Sequence, residues 1–288
     1  MKIALGTVQF GLDYGVANES GRVNFDEAKT ILKLSAENSI DTIDTAIAYG
    51  DSENTLGRIG LNNWKVVTKL SALPADCVDI SGWVVSQIEG SLARLGIQQL
   101  YGVLLHRPEQ LKEKAGRLIF NELENLKAKG LAKKIGISIY SPDELDTSMM
   151  AMEFDLVQAP LNLLDRRIIE SGCASRLKER GIELHIRSVF LQGLLLMTTV
   201  QRPVKFSPWL PVWLEWHRWL SDTGLTPLQA CLAYVLGIDE VDKVVIGVDN
   251  IRQLKEILDA TKSTLPSLPN WELPLDQTLI NPSLWSKL

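Results

Sequence analysis

The chain has 288 residues, 45% of them hydrophobic, with 30 basic against 35 acidic side chains and a net charge of −5. That balance supplies no electrostatic footprint for nucleic acid, although a phosphate pocket needs only local charge. No apolar stretch reaches the ~20 residues of a membrane helix, and a start broken by Gly6 and Gln9 is no secretory signal, so a cytoplasmic protein is expected.

Lys2–Thr7 reads as a first strand, followed by a Gly-rich loop over Gln9–Gly21 that suits the mouth of a site. Phe25–Asn38 has helical periodicity and is entered through Asn24, a fitting N-cap. Strand two is Thr42–Asp44, with a short helix Ser52–Ile59 behind it. Strand three is Lys65–Lys69, and Ser81–Leu95 is a helix closed by Gly96. Strand four is Leu100–His106, followed by helix Ala115–Lys129. Strand five is Lys134–Ser138, with a helix expected over Pro142–Met150 under a Ser141 cap.

Strand six is Asp155–Gln158 and its helix Arg166–Arg180. Strand seven is Glu183–Ser188. A longer excursion, Phe190–Asp222, then interrupts the rhythm. Its Trp213, Trp216 and Trp219 share one helical stripe, which reads first as packing onto the body and second as a wall for an apolar substrate face. Phe190, Phe206 and Trp209 are expected to line the mouth. Helix Pro227–Leu236 starts at Thr226 with Pro in the first helical position. Strand eight is Lys243–Ile246, followed by helix Ile251–Thr261. Ser263–Leu288 reads as an extended wrap. Eight strands alternating with eight helices predict one (β/α)8 TIM barrel spanning residues 1–288 as a single domain.

Three of those strands end in polar residues or lead straight to one. Asp44 closes the second, with Tyr49 just beyond it; Lys69 closes the third and His106 the fourth. Singly, each has a plain reading as a strand-end cap, rim aromatic, solvated lysine or turn histidine. Together they matter, because parallel barrel strands all open on one face and catalytic groups gather there. A tyrosine's ordinary pKa of about 10 makes it a poor acid at neutral pH, and a neighbouring ammonium favours the phenolate. A buried lysine needs a counter-charge, which Asp44 would supply. His106 could orient a carbonyl oxygen while Tyr49 protonates it. No side chain donates hydride, so a nicotinamide cofactor is implied. Cys77, Cys173 and Cys231 are odd in number and widely spaced, reading as reduced structural thiols. There is no C-x-x-C and no ligand spacing among His106, His185 and His217, so no metal site is expected.

An ordered series of motifs runs from about residue 3 to about residue 258. It comprises G-T-V-Q-F-G at Gly6–Gly11, D-T-A-x-x-Y-G at Asp44–Gly50, S-E-x-x-L-G at Ser52–Gly57, V-V-T-K at Val66–Lys69 and L-L-H-R-P at Leu104–Pro108. K-I-G-I-S at Lys134–Ser138, Q-x-x-x-N-L-L-D at Gln158–Asp165 and Q-G-L-L at Gln192–Leu195 complete it. With this series the sequence resembles the aldo-keto reductase family, whose catalytic tetrad falls on Asp44, Tyr49, Lys69 and His106 without substitution.

The resemblance implies reversible reduction of an aldehyde or ketone by NAD(P)H, with NADP(H) favoured over NAD(H). Gly6 and Thr7 would approach the nicotinamide, Ser138 and Gln158 would hold its carboxamide, and Gln192, Gly193 and Leu194 would carry the pyrophosphate. Gly247, Asp249 and Gln253, with Glu256, would reach the adenosine end. Four positions depart from the family pattern. Ile139 and Ile257 each replace an Asn, and Arg187 replaces an aromatic under the nicotinamide. Asp249 stands where a Ser often serves the 2′-phosphate; it would repel phosphate or bind a free ribose hydroxyl, with Arg252 close enough to compensate.

The longer stretches G-T-V-Q-F-G-L-D-Y-G-V-A-N and R-S-V-F-L-Q-G-L-L-L resemble bacterial members acting on sugar-derived carbonyls. A small-molecule carbonyl substrate is therefore expected, with no nucleic acid or membrane partner. A nicotinamide-binding sensor subunit and an NAD-dependent sugar dehydrogenase working oxidatively stay open as alternatives.

Overall fold

The structure, a computed structural model, describes residues 1–18, 21–145, 152–268 and 276–288. Eight short strands, β1 (Ile3–Gly6), β2 (Thr42–Asp44), β3 (Lys65–Leu70), β4 (Leu100–Leu105), β5 (Ala132–Ser138), β6 (Leu156–Pro160), β7 (Glu183–Arg187) and β8 (Lys243–Gly247), pair in parallel and in chain order. The ring closes where β8 pairs with β1, Leu5 lying opposite Ile246 and Gly6 opposite Gly247. This is the expected (β/α)8 barrel.

Side chains alternate along each strand, which produces two separate apolar regions. One set faces out and packs under the helices as the main core; Val67, Leu104 and Leu156 form a small inner cluster with Tyr101. The same inward parity carries Lys69 above Val67 and Gln158 above Leu156. The helices α1 (Phe25–Glu37), α2 (Ser52–Ile59), α3 (Ile80–Leu95) and α4 (Gly116–Ala128) cover the first half. Local caps set their starts: the Asn24 side chain accepts from Glu27 N and the Asp79 side chain from Gly82 N.

Several boundaries differ from expectation. The helix expected over Arg166–Arg180 is two pieces, α5 (Arg167–Glu170) and α6 (Cys173–Glu179), because Gly172 takes a left-handed φ of 69° between them. Strand six begins one residue late because Asp155 acts as a cap: its carboxylate accepts from Ile135 N and from Lys127 Nζ. Of the helix expected over Pro142–Met150, a 3-10 turn, Pro142–Glu144, forms with a Ser141–Glu144 capping box, while residues 146–150 lie outside the described residues.

After β7 the excursion folds as a 3-10 turn (Leu194–Leu196), a second one (Val204–Trp209) and helix α7 (Leu210–Thr223). Trp213, Trp216 and Trp219 are all buried, so the stripe packs the helix onto the barrel and forms no substrate wall. Helices α8 (Pro227–Leu236) and α9 (Ile251–Ala260) follow as expected. The described part of the tail is not simply extended. It holds a helical turn, α10 (Gln277–Ile280), and a 3-10 turn, Pro282–Lys287, whose Trp285 meets Phe206 at a ring distance of 4.8 Å. Trp209 donates to Asp276 at 2.7 Å. Phe206 and Trp209 therefore fasten the tail and do not line the mouth. No helix among the described residues is long and apolar enough to cross a membrane.

Candidate active site

The C-terminal ends of β2, β3 and β4 bring the four sequence-predicted residues together. Lys69 is 1% exposed and its ammonium donates to Asp44 Oδ1 (2.5 Å), the Thr45 carbonyl (3.0 Å) and the Tyr49 hydroxyl (3.4 Å). Asp44 accepts on its other oxygen from Gln158 Nε2 at 2.6 Å. The His106 ring stands edge-on to Tyr49, 6.0 Å between centroids. Burial works against the Lys69 charge, but Asp44 and Tyr49 outweigh it and its pKa rises above the lysine norm. Burial, then Lys69, then Arg187 push His106 down to about 4, so its imidazole is neutral at physiological pH.

The loop carrying Tyr49 is held from below. Ser52 Oγ, fully buried, donates to the Thr7 carbonyl at 2.9 Å and bonds the hydroxyls of Thr7 and Thr45. Next to it, buried Glu53 accepts from Thr68 and Ser91 hydroxyls and from Arg94. The S-E pair thus ties the start of α2 to β1, β3 and α3, and a polar pair opening an amphipathic helix is its sequence signal.

Tyr49, Lys69 and His106 open on a cavity of about 770 Å³ that runs from the barrel axis across the β8–β1 seam to α9. Gly6, Thr7, Ser138, Gln158, Arg187, Gln192, Gly193, Gly247, Asp249 and Gln253 line it, as do Arg252, Glu256, Ile257 and Phe190. Leu194, expected among them, does not: its side chain is fully buried in the core. Ile139 is also buried away from the cavity, and its carbonyl accepts from Arg187 Nη2 at 2.9 Å.

The loop after β1 lies at the mouth as expected, but sequence reasoning named none of its contacts. Gln9, Tyr14, Ala17 and Asn18 line the cavity. Tyr14 accepts from Gln192 at 3.1 Å, and Asn18 donates to Asp249 at 3.3 Å. Gly193 has φ 90°, and a Cβ there would sit 2.5 Å from the Ala17 Cβ. The loop after β7 is itself bent, with positive φ at Ser188, Leu191 and Gln192. An irregular loop has no periodicity from which such contacts could be read.

The cavity's chemistry suits a dinucleotide. Gln158 Oε1 and Gln9 Oε1 are buried and accept from no described residue, although buried acceptors are normally satisfied. Gln158 is in register with Ser138, the partner expected to share a carboxamide with it. At the seam Gln9 packs on bare backbone, since a Cβ on Gly247 would lie 2.5 Å from its side chain.

Residues 2–268 match the model of the Aldo/keto reductase family. The chain belongs to the aldo-keto reductase family. Over 136 residues, 42% of its length, this aldo-keto reductase is 32% identical to "Pyridoxal reductase, chloroplastic" of Arabidopsis thaliana; it spans 37% of that protein's length. Among solved structures, an aldo-keto reductase from Bacillus halodurans in its holo form superposes with a TM-score of 0.72 at 20% identity, covering 92% of this chain and 88% of the other. A Pseudomonas aeruginosa protein of the same fold gives 0.67 at 23% identity, covering 90% and 89%. At these identities the two structures speak for the fold.

Proposed function

We propose that this protein reduces an aldehyde or ketone with NAD(P)H, on a small-molecule substrate in the cytoplasm. One observation carries the reading. The Tyr49 hydroxyl faces the cavity with a buried, ion-paired ammonium 3.4 Å away. Tyr49 gives its proton to the carbonyl oxygen as that oxygen gains charge, and Lys69 stabilises the phenolate left behind. Asp44 holds Lys69 charged and in place. Neutral His106 donates a ring N–H to the same oxygen and sets its orientation. The cofactor, when bound, supplies the hydride. Ser138 and Gln158 would hold its carboxamide, Gln192 and Gly193 its pyrophosphate, and Asp249 and Gln253 its adenosine end.

The family resemblance favours NADP(H), with Arg252 on the phosphate, and a sugar-derived carbonyl as substrate. Asp249 favours a second reading, NAD(H). Its carboxylate lines the cavity, where Asn18 and Gln253 donate to it, while the Arg252 side chain is 79% exposed and lies 3.8 Å from Glu256. Fluorescence titration with NADPH and NADH decides between them. Turnover is followed through the absorbance of the reduced nicotinamide on a carbonyl panel that includes sugar aldehydes. Tyr49→Phe should bind cofactor as before and lose turnover by about 100-fold or more. Cofactor binding with no turnover on any carbonyl would overturn the reductase reading in favour of a sensor.

A further inference from the structure

We propose that Arg187 sets the redox preference of the site, so that the protein binds the reduced nicotinamide dinucleotide more tightly than the oxidised one. The inference rests on the nicotinamide reading above and adds a charge argument to it.

Arg187 ends β7 with its guanidinium in the cavity. Three neutral groups hold it. Nη2 donates to the Ile139 carbonyl at 2.9 Å, Nη1 to Ser188 Oγ at 3.3 Å, and the guanidinium carbon stands 4.5 Å from the Tyr140 ring centre. Among the described residues no carboxylate forms an ion pair with it. Of the other cations at this end, Lys69 is paired with Asp44 and Arg107 with Glu109, and the Asp249 carboxylate is engaged with Asn18 and Gln253 in the loop after β8. The reactive end therefore carries about one uncompensated positive charge, and it is fixed.

The reaction would change the charge of a nicotinamide held there. The carbonyl carbon would gain a hydride and its oxygen the Tyr49 proton, and a neutral dihydropyridine that gave the hydride would become a cationic pyridinium. The phenolate regains its proton from solvent. A fixed guanidinium favours the neutral ring over the cationic one. His106 is a resident aromatic ring in the same place: burial first, then Lys69 and Arg187, oppose its cationic form, while Asp44 favours it. Two unit charges ~10 Å apart at an effective dielectric of about 20 interact strongly enough to shift a binding ratio by on the order of tenfold. Oxidised product would leave readily, and the reverse, oxidative reaction would be handicapped at the binding step.

The test is a set of four dissociation constants, for NADH, NAD+, NADPH and NADP+, read by tryptophan quenching or calorimetry in wild type, Arg187→Gln and Arg187→Lys. No turnover is needed. The wild type should favour each reduced form over its oxidised partner by about tenfold. Arg187→Gln should bring that ratio to within about threefold of unity, and Arg187→Lys should keep it above the Gln value. A wild-type ratio near one overturns the inference, as does an unchanged ratio in a folded Arg187→Gln. Should the Gln variant not fold, Arg187→Met takes its place as the neutral variant, with the same ratio expected and the same result overturning the inference. If wild type binds none of the four, the nicotinamide reading itself fails, which is a different result from equal binding of both redox forms.

Discussion

Asp44→Asn asks whether Lys69 is a buried cation held by one counter-charge. The two side chains are nearly the same size, so packing is conserved and charge is not. In the native protein the Lys69 and Asp44 side chains are 1% and 5% exposed. After substitution the ammonium keeps the Thr45 carbonyl and the Tyr49 hydroxyl, neither charged. The Asn amide must also answer two donors, Lys69 on one side and Gln158 on the other, with a single oxygen. Removing one partner of a buried ion pair costs about 3–5 kcal/mol, a large share of the ~5–15 kcal/mol that holds a typical domain. Urea unfolding, followed by tryptophan fluorescence and circular dichroism, should show that loss in Asp44→Asn and a comparable one in Lys69→Met. The double variant leaves no lone charge, so it should be more stable than the sum of single losses predicts, by about 2–3 kcal/mol. A loss below about 1 kcal/mol in Asp44→Asn, or single losses that simply add, would refute the buried-cation picture.

His106 gives a pH dependence with a definite sign. Its native value of about 4 lies below the ordinary 6.5, so the unfolded chain binds the extra proton in between. Stability is complete above about 6.5 and falls as pH drops toward 4, by up to about 3 kcal/mol; denaturant midpoints of wild type and His106→Gln across that window check it. Gly193→Ala places a methyl at φ 90° against Ala17; about 2 kcal/mol of strain should lower Tm by roughly 4–8 °C and weaken dinucleotide binding. Trp216→Ala removes a fully buried indole that donates to the Leu195 carbonyl; it should cost about 3–5 kcal/mol in a denaturant titration, and Trp216→Phe distinctly less.

The elements that sequence located best are those with chemical punctuation. β2, α2 and α8 match their expected spans residue for residue, bounded by Asp44, by Gly60 and by the Thr226–Pro227 start. Boundaries failed where one residue had two possible jobs. Asp155 could extend a strand or cap one, and Gly172 could sit inside a helix or split it. The tetrad was legible because each member stands at or just past a strand end, where topology alone dictates convergence. Most of the cavity wall was legible through motifs. The parts that were not depend on which way a side chain leaves an irregular turn: Leu194 inward to the core, Phe206 toward the tail, and Gln9, Tyr14 and Asn18 over the opening.

The barrel closes only at the seam between β8 and β1. Gly6 and Gly247 lie opposite each other there, and with Val245, Ile246 and Asp249 they line the outer part of the cavity. That stretch of wall belongs to neither end of the chain alone. During synthesis the tetrad's four residues are made early and could gather around β2, β3 and β4, but the groove beside them has one wall until the last strand arrives. Dinucleotide affinity is therefore a signal of completed ring closure. A chain arrested before residue 247 could place Tyr49 beside Lys69 and still bind nothing.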